Sequence, residues 1–271
     1  LEFQLQVVRA YNDWILSWEQ TEPGRFIPLA CVPYWDLDAA VREIERTAEL
    51  GMKGIVMTGK PQNHGAPILP DPHWEAMWSA AEAAGQSVSF HVASGGMRET
   101  KGNPERIDMM GPEALRVYMF GQECFENVSV AVDLLSSGIL QRHPDLNFAI
   151  VETGVGWVPF TLEALDEAYL LYKPWVSRSE MREDELPSDL FRRQVFVNIW
   201  YERAQAHYPF DNVMFETDYP HPVCLMKPEI QDAIENRLSI LSPAQLDNVL
   251  WKNAMRCFKL QPGDVALSQA S

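Results

Sequence analysis

Short apolar runs recur along the chain, and amphipathic stretches separate them. This alternation predicts β-strands joined by helices. The runs are almost continuously apolar, which is typical of strands that are buried on both faces of a sheet. Six runs predict strands: "RFIPLACVPYW" at 25–35, "GIVM" at 54–57, "SVSFH" at 87–91, "LNFAIVE" at 146–152, "VFVNIW" at 195–200 and "NVMFETD" at 212–218.

Capping residues and glycines mark the ends of the helices between these runs. Asp36 precedes a helix whose apolar residues fall on one face, and Gly51 marks its end. Asp71 and Pro72 open the next helix, which Gly85 ends. Further helices are predicted over 1–18, from Pro112 to Gly138 with a break near Gly121, over 157–172, and over two C-terminal segments, the last opened by Ser242 and Pro243.

The alternation of strands and helices predicts an α/β fold with a parallel sheet. A doubly wound open sheet and a (β/α)8 barrel both fit this pattern. No G-x-G-x-x-G motif or phosphate-binding loop follows the first predicted strand, so a nucleotide-binding open sheet loses its most direct support. We therefore expect a TIM-like (β/α)8 barrel, built as a single domain over residues 1–271.

The excess of acidic residues limits the kinds of molecule that the protein can bind. The 271 residues include 38 acidic and 22 basic side chains, and the formal net charge is −16 at pH 7. An acidic surface binds phosphate backbones and anionic lipids poorly, which argues against nucleic acid and membranes as partners. The cysteines are far apart, and no apolar run reaches the ~20 residues of a membrane span. We expect a cytoplasmic protein that binds a small molecule, with a homodimer left open.

Three predicted strands end on residues that can bind a metal ion or transfer a proton. His91 ends the third strand, Glu152 the fourth and Asp218 the sixth, and His221 follows in "DYPH". Because the carboxyl ends of parallel barrel strands open onto one face, we expect these side chains to converge. Histidine nitrogen and aspartate oxygen suit a divalent ion such as Zn²⁺, and a nearby carboxylate can act as general acid or base.

Each of these residues also has an ordinary structural explanation. A single buried histidine more often satisfies a hydrogen bond than binds a metal, Glu152 can cap backbone amides, and Asp218 can form a turn into Tyr219. His221 can lie on the rim without a chemical role. Several charges at a desolvated barrel mouth nevertheless require compensation, and a cation would provide it.

Four longer segments extend this pattern over almost the whole chain: "VSFHVASGG", "RHPDLNFAIVETGVGWVPFTLEALD", "VMFETDYPHP" and "WKNAMRCF". Together they resemble the amidohydrolase-related family, in the branch that includes aminocarboxymuconate-semialdehyde and resorcylate decarboxylases. The resemblance implies a metal-dependent TIM-like barrel in which His91 and Asp218 belong to the metal site. It implies one divalent ion, with Zn²⁺ as the first choice and Mn²⁺ or Fe²⁺ as alternatives.

Two features depart from the family pattern. The Asp/Glu-x-His or His-x-His pair of the family's first strand is absent, and the run at 25–35 resembles the family's third strand. We therefore expect an N-terminally truncated barrel with about six of its eight strands. The second departure is Glu152, which stands where the decarboxylases carry a histidine and leaves the reaction class open.

The first functional prediction is a metal-dependent hydrolase of a small, carboxylated or cyclic substrate, with Asp218, Glu152 and His221 as catalytic residues. One alternative is a non-oxidative decarboxylase of an aromatic or muconate-type acid, in which Glu152 donates a proton only if burial raises its pKa. The other is a catalytically inactive fragment or a ligand-binding barrel.

Candidates for substrate contact lie near the predicted strand ends. Trp157, Trp200 and Tyr219 can form the walls of a pocket for a flat substrate, and Arg98 can bind a carboxylate. Packing in the outer layer of the barrel explains each aromatic residue equally well.

Overall fold

A parallel sheet of six strands organises the residues that the computed structural model describes, which are 2–92, 94, 104–173 and 185–266. Helices lie between successive strands from β1 to β5, and a 3₁₀ turn at Phe210–Asn212 precedes β6. The predicted α/β class and the predicted number of strands are confirmed. The strands are Leu29–Cys31 (β1), Gly54–Met57 (β2), Ser87–His91 (β3), Phe148–Val151 (β4), Val195–Ile199 (β5) and Val213–Phe215 (β6).

The strand order follows the chain without reversal, from β1 to β6. A doubly wound sheet reverses its order at a switch point, whereas successive units of a barrel continue in one direction. The observed order therefore supports the barrel-type winding that the sequence predicted. A single domain over residues 1–271 stays a prediction.

The helices begin and end close to the predicted positions because their caps form. Asp36 accepts a hydrogen bond from the Ala39 amide at 3.0 Å, and Ser242 accepts one from the Gln245 amide at 3.3 Å. The helices are Glu2–Thr21 (α1), Leu37–Glu49 (α2), Glu75–Ala83 (α3), Pro104–Ser136 (α4), Ile139–Arg142 (α5), Val158–Tyr172 (α6), Pro187–Gln194 (α7), Lys227–Asp232 (α8), Pro243–Asp247 (α9) and Asn253–Cys257 (α10), with π-helical turns at Ala233–Arg237 and Asn248–Lys252.

One predicted helix break is in the wrong place. The helical path of α4 is interrupted at Gly111, which has φ 74°, and not near Gly121. Pro112 lacks an amide hydrogen and starts the second part of α4, where that loss costs nothing.

Both faces of the sheet are buried, as the continuous apolar runs predicted. Phe148, Ile150 and Val197 belong to the main core that the helices cover. The alternate residues of the same strands, including Ala149 and Phe196, form a second cluster with Cys257 of α10.

Helix α1 covers the outer edge of β1 through a polar side chain. Asn12 is 1% exposed, and its amide group donates to the Cys31 carbonyl at 2.9 Å and accepts from the Cys31 amide at 2.8 Å. These two bonds replace those of a neighbouring strand, so that edge is not left unpaired at Cys31. In the described parts of the chain, no helix combines the length and apolar character needed to cross a lipid bilayer.

Candidate functional site at the carboxyl ends of the strands

The predicted site residues lie at the carboxyl ends of β3, β4 and β6, along the same edge of the sheet. His91 is the last residue of β3 and pairs in register with Val151, the last residue of β4. Glu152 is therefore the next residue along, and Asp218 follows β6 by three residues. Parallel strands bring all three side chains to one edge because their carboxyl ends point the same way.

Direct contacts join the predicted residues into one group. His91 Nε2 lies 2.8 Å from Glu152 Oε2, and a side-chain hydrogen bond links Glu152 to Asp218. His221 Nδ1 lies 3.1 Å from Asp218 Oδ2. The structure thus gathers His91, Glu152, Asp218 and His221, although their roles remain predictions. The His91 side chain is 51% exposed, so the group is open to solvent.

Glu216 completes this group and was given no role from the sequence. Its Oε2 accepts a hydrogen bond from the Glu152 amide at 3.1 Å. A usable signal was present, because a carboxylate directly after an apolar strand is the same pattern that singled out Glu152. We call His91, Glu152, Glu216, Asp218 and His221 the strand-end cluster.

The crowded carboxylates change each other's protonation. Burial, with repulsion by Glu152, raises the pKa of Glu216 to about 8, and burial with the Glu152 contact raises the pKa of Asp218 to about 6. The Glu152 hydrogen bond raises the pKa of His91 to about 9. Burial acts to raise the pKa of Glu152, but hydrogen bonds with His91 and Asp218 outweigh it and the pKa is lowered. Glu152 is therefore the ionised partner of the pair that it forms with Asp218.

The backbone is strained at two members of the strand-end cluster. Glu152 and Asp218 both have φ 58°, in the left-handed region that residues with side chains rarely adopt. Such conformations persist only where the surrounding contacts determine them, and they concentrate at functional sites.

The donor chemistry of the strand-end cluster fits a divalent cation. His91 Nδ1 lies 2.5 Å from the Val92 carbonyl, a backbone contact of the kind that orients metal-binding histidines. Asp218 Oδ2 is buried and makes no hydrogen bond, and its neighbour is His221 Nδ1 at 3.1 Å. In the observed conformation, however, the Glu152 carboxylate contacts His91 Nε2. No three donors among the described side chains are arranged to hold an ion.

The predicted substrate-contact residues occupy different environments. Tyr219 is 69% exposed beside Asp218, whereas Trp200 is 6% exposed and packs with Leu225. Trp157 donates to the Gly154 carbonyl at 2.9 Å and packs against the main core. Arg98 lies outside the described residues. Contact between the three aromatic residues and a substrate stays a prediction.

An aromatic contact that the sequence did not predict lies beside β5. Phe120 of α4 packs edge-on against Trp200, with ring centroids 5.9 Å apart, and lies 5.5 Å from Tyr201. This contact could not be predicted from the sequence, because the residues are far apart in the chain. The packing of α4 brings Phe120 to the end of β5.

A family model described as amidohydrolase matches residues 1–260. The chain belongs to the amidohydrolase family. The resemblance found in the sequence is therefore confirmed, and the match includes every member of the strand-end cluster.

The relatives of this amidohydrolase chain include decarboxylases. The chain is 24% identical over 269 residues to a gamma-resorcylate decarboxylase of a Polaromonas strain, covering 94% of this chain and 77% of the relative. It is 23% identical to the structure of a 5-carboxyvanillate decarboxylase from Sphingomonas paucimobilis, with a TM-score of 0.73 over 94% of this chain and 73% of that one.

A third similar structure holds a metal ion. It is a dihydroxybenzoic acid decarboxylase from Polaromonas with bound manganese and the inhibitor 2-nitroresorcinol, 19% identical, with a TM-score of 0.70 over 97% of this chain and 78% of that one. At these identities the two solved structures establish the shared fold of the amidohydrolase chain.

Proposed function

We propose that this amidohydrolase-family chain is a divalent-metal-dependent decarboxylase of an aromatic carboxylic acid. The observation that carries the proposal is the convergence of His91, Glu152 and Asp218 at one solvent-open edge of the sheet. The gamma-resorcylate decarboxylase relative favours the decarboxylase alternative over the hydrolase that the sequence suggested first.

The metal site is assigned to His91 and Asp218. The ion would take the imidazole Nε2, from which the Glu152 carboxylate would withdraw, and the buried carboxylate oxygen Oδ2, which makes no hydrogen bond and pairs with His221. Bound there, a divalent ion would supply a Lewis acid for a carboxylated substrate. The manganese in the Polaromonas decarboxylase structure supports a divalent ion and favours Mn²⁺, the alternative that the sequence analysis gave beside Zn²⁺.

The residues of the chain position the reaction and supply a proton. The Val92 carbonyl fixes Nδ1 of the His91 imidazole, and Glu152 lies beside Nε2, where it orients the ring before an ion binds. When the bond between the ring carbon and the carboxylate breaks, CO₂ leaves and the ring carbon takes up a proton. We assign proton delivery to His221, because its side chain is 59% exposed and lies 3.1 Å from Asp218 Oδ2, beside the proposed metal site.

A ligand-binding barrel without catalysis is the second candidate. It is favoured by one observation, that no three donors among the described side chains are arranged for a metal ion. About three protein ligands are usual for a catalytic ion.

The test is CO₂ release from gamma-resorcylate and 5-carboxyvanillate by protein loaded with Mn²⁺ or Zn²⁺, beside a panel of lactones and amides. We expect CO₂ release that chelation removes and that added metal restores. Full activity after chelation would exclude the metal site, and turnover of lactones or amides alone would support the hydrolase. Binding of the acids without turnover would support the ligand-binding barrel.

A further inference from the structure

Glu202, which lies after β5 and outside the strand-end cluster, joins the ends of two strands. Its Oε1 accepts a hydrogen bond from the Val155 amide at 2.7 Å, and its Oε2 accepts one from the Trp200 amide at 3.1 Å. One carboxylate therefore connects the turn after β4 to the end of β5.

The turn after β4 is shaped around this carboxylate. Gly154 has φ 66°, and a Cβ atom added there would lie 2.0 Å from Glu202 Oε1. The carboxylate thus fills the space that a side chain at position 154 would need. Glycine satisfies both requirements, the left-handed backbone and the close approach.

The same turn carries Glu152 at its first position. Glu152 has φ 58°, and its amide donates to Glu216 Oε2 at 3.1 Å. Two carboxylates from the following strands hold this turn. Glu216, which follows β6, accepts from the amide of residue 152, and Glu202, which follows β5, accepts from the amide of residue 155. A strained conformation persists when contacts on both sides determine it.

We propose that Glu202 is a positioning residue: by holding the turn from Glu152 to Val155 against β5, it keeps the Glu152 carboxylate beside His91 and Asp218. The catalytic part of this inference rests on the proposed decarboxylase function. Glu202 contacts neither His91 nor Asp218 and acts only through the backbone of the turn.

The direct test is amide hydrogen exchange in Glu202→Ala, followed residue by residue by NMR. Exchange at Val155 should accelerate because its acceptor is removed. Exchange at Glu152 should accelerate as well, by about tenfold or more, if the turn is held as one unit. Glu202→Gln retains one acceptor oxygen and should give a smaller acceleration.

The kinetic test compares kcat and KM for CO₂ release. In Glu202→Ala we expect kcat to fall by roughly 10- to 100-fold with little change in KM, since a misplaced carboxylate impairs the reaction more than binding. Gly154→Ala should displace the Glu202 carboxylate and lower kcat similarly. Because both changes remove the same contact, the double variant should lose much less than the product of the single losses.

Asn212→Ala is a matched control for loss of stability alone. Asn212 is 1% exposed, and its amide donates to the carbonyls of Phe191, Arg192 and Val195 at 3.2, 3.1 and 2.9 Å, ahead of β6. This variant should unfold more readily and keep both the wild-type kcat and the wild-type exchange at Glu152.

Two results would overturn the positioning role: wild-type exchange at Glu152 in Glu202→Ala, or a kcat no lower than that of Asn212→Ala. If the wild-type protein releases no CO₂, the proposed function has failed, and the exchange at Glu152 alone decides whether Glu202 positions the turn.

Discussion

Two groups of histidine and carboxylate side chains in this protein differ in their charge balance. Away from the strand-end cluster, His143 is 5% exposed and lies between two glutamates of α3, 3.0 Å from Glu75 Oε2 and 3.1 Å from Glu82 Oε2. Arg142 pairs with Glu75 at 2.7 Å. One arginine and one histidine therefore face two carboxylates, and each ring nitrogen of His143 lies within hydrogen-bond distance of a carboxylate oxygen. We call these four residues the balanced group.

The strand-end cluster lacks this balance. It holds three carboxylates and two histidines, and one oxygen of Asp218 makes no hydrogen bond and lies 3.1 Å from His221 Nδ1. Burial, with repulsion by Glu152, raises the pKa of Glu216 to about 8, and burial with the Glu152 contact raises the pKa of Asp218 to about 6, whereas the partners of Glu75 lower its pKa. We therefore infer that a histidine beside glutamates points to a functional site where charge and hydrogen bonds are left unmatched.

The largest effect is expected at His91. His91→Ala removes a proposed metal ligand and should lower CO₂ release by at least roughly 100-fold, with loss of bound Mn²⁺ measured by elemental analysis. His207→Ala, at an exposed histidine without an assigned role, is the control. If His91→Ala keeps its activity within a few-fold of wild type, the strand-end cluster is no more functional than the balanced group around His143.

His143→Ala should affect stability instead of activity. The change leaves Glu75 and Glu82 facing each other without the imidazole, and we expect a loss of about 1–3 kcal/mol in the free energy of unfolding, measured by urea titration. The folded fraction should retain its CO₂ release. Unchanged stability would mean that His143 contributes no net energy to this contact.

Lowering the pH should reduce the contribution of Glu75 to the free energy of unfolding. Burial acts to raise the pKa of Glu75, but hydrogen bonds from Arg142 and His143 outweigh it and hold the pKa below its ordinary value. An acid with a lowered folded-state pKa stabilises the fold above its unfolded pKa of about 4.3, and this stability is lost as the pH falls through the folded pKa. Urea midpoints measured from about pH 6 down to pH 3 should fall less in Glu75→Gln than in wild type; equal slopes would contradict this account.

The smallest effect is expected at Tyr219. If its exposed ring is a wall of the substrate pocket, Tyr219→Ala should raise KM by about 3- to 10-fold, the equivalent of one aromatic contact of about 0.5–1.5 kcal/mol. Tyr219→Phe retains the ring and should stay close to wild type. A KM unchanged in Tyr219→Ala would place Tyr219 outside the pocket.

Local sequence signals predicted helix starts and strand bounds correctly where a single residue determines them. Asp36 and Ser242 cap the predicted helices, and β2 and β3 have the predicted bounds because apolar runs end at turn or polar residues. The break in α4 was placed near Gly121 although a local signal distinguishes the two glycines. Only Gly111 is followed by a proline, which can begin a helix and disfavours a helical residue before it.

The amino-acid sequence by itself determined the strands, the family and the polar residues at or just after the ends of β3, β4 and β6, because hydrophobic periodicity and parallel winding depend on residue type and order. Only the tertiary structure decided which carboxylates repel each other, which buried atoms make no hydrogen bond, and that Glu202 reaches the turn of Glu152. Those properties depend on distances of a few ångströms between residues far apart in the chain, and Coulomb and hydrogen-bond energies change steeply over such distances.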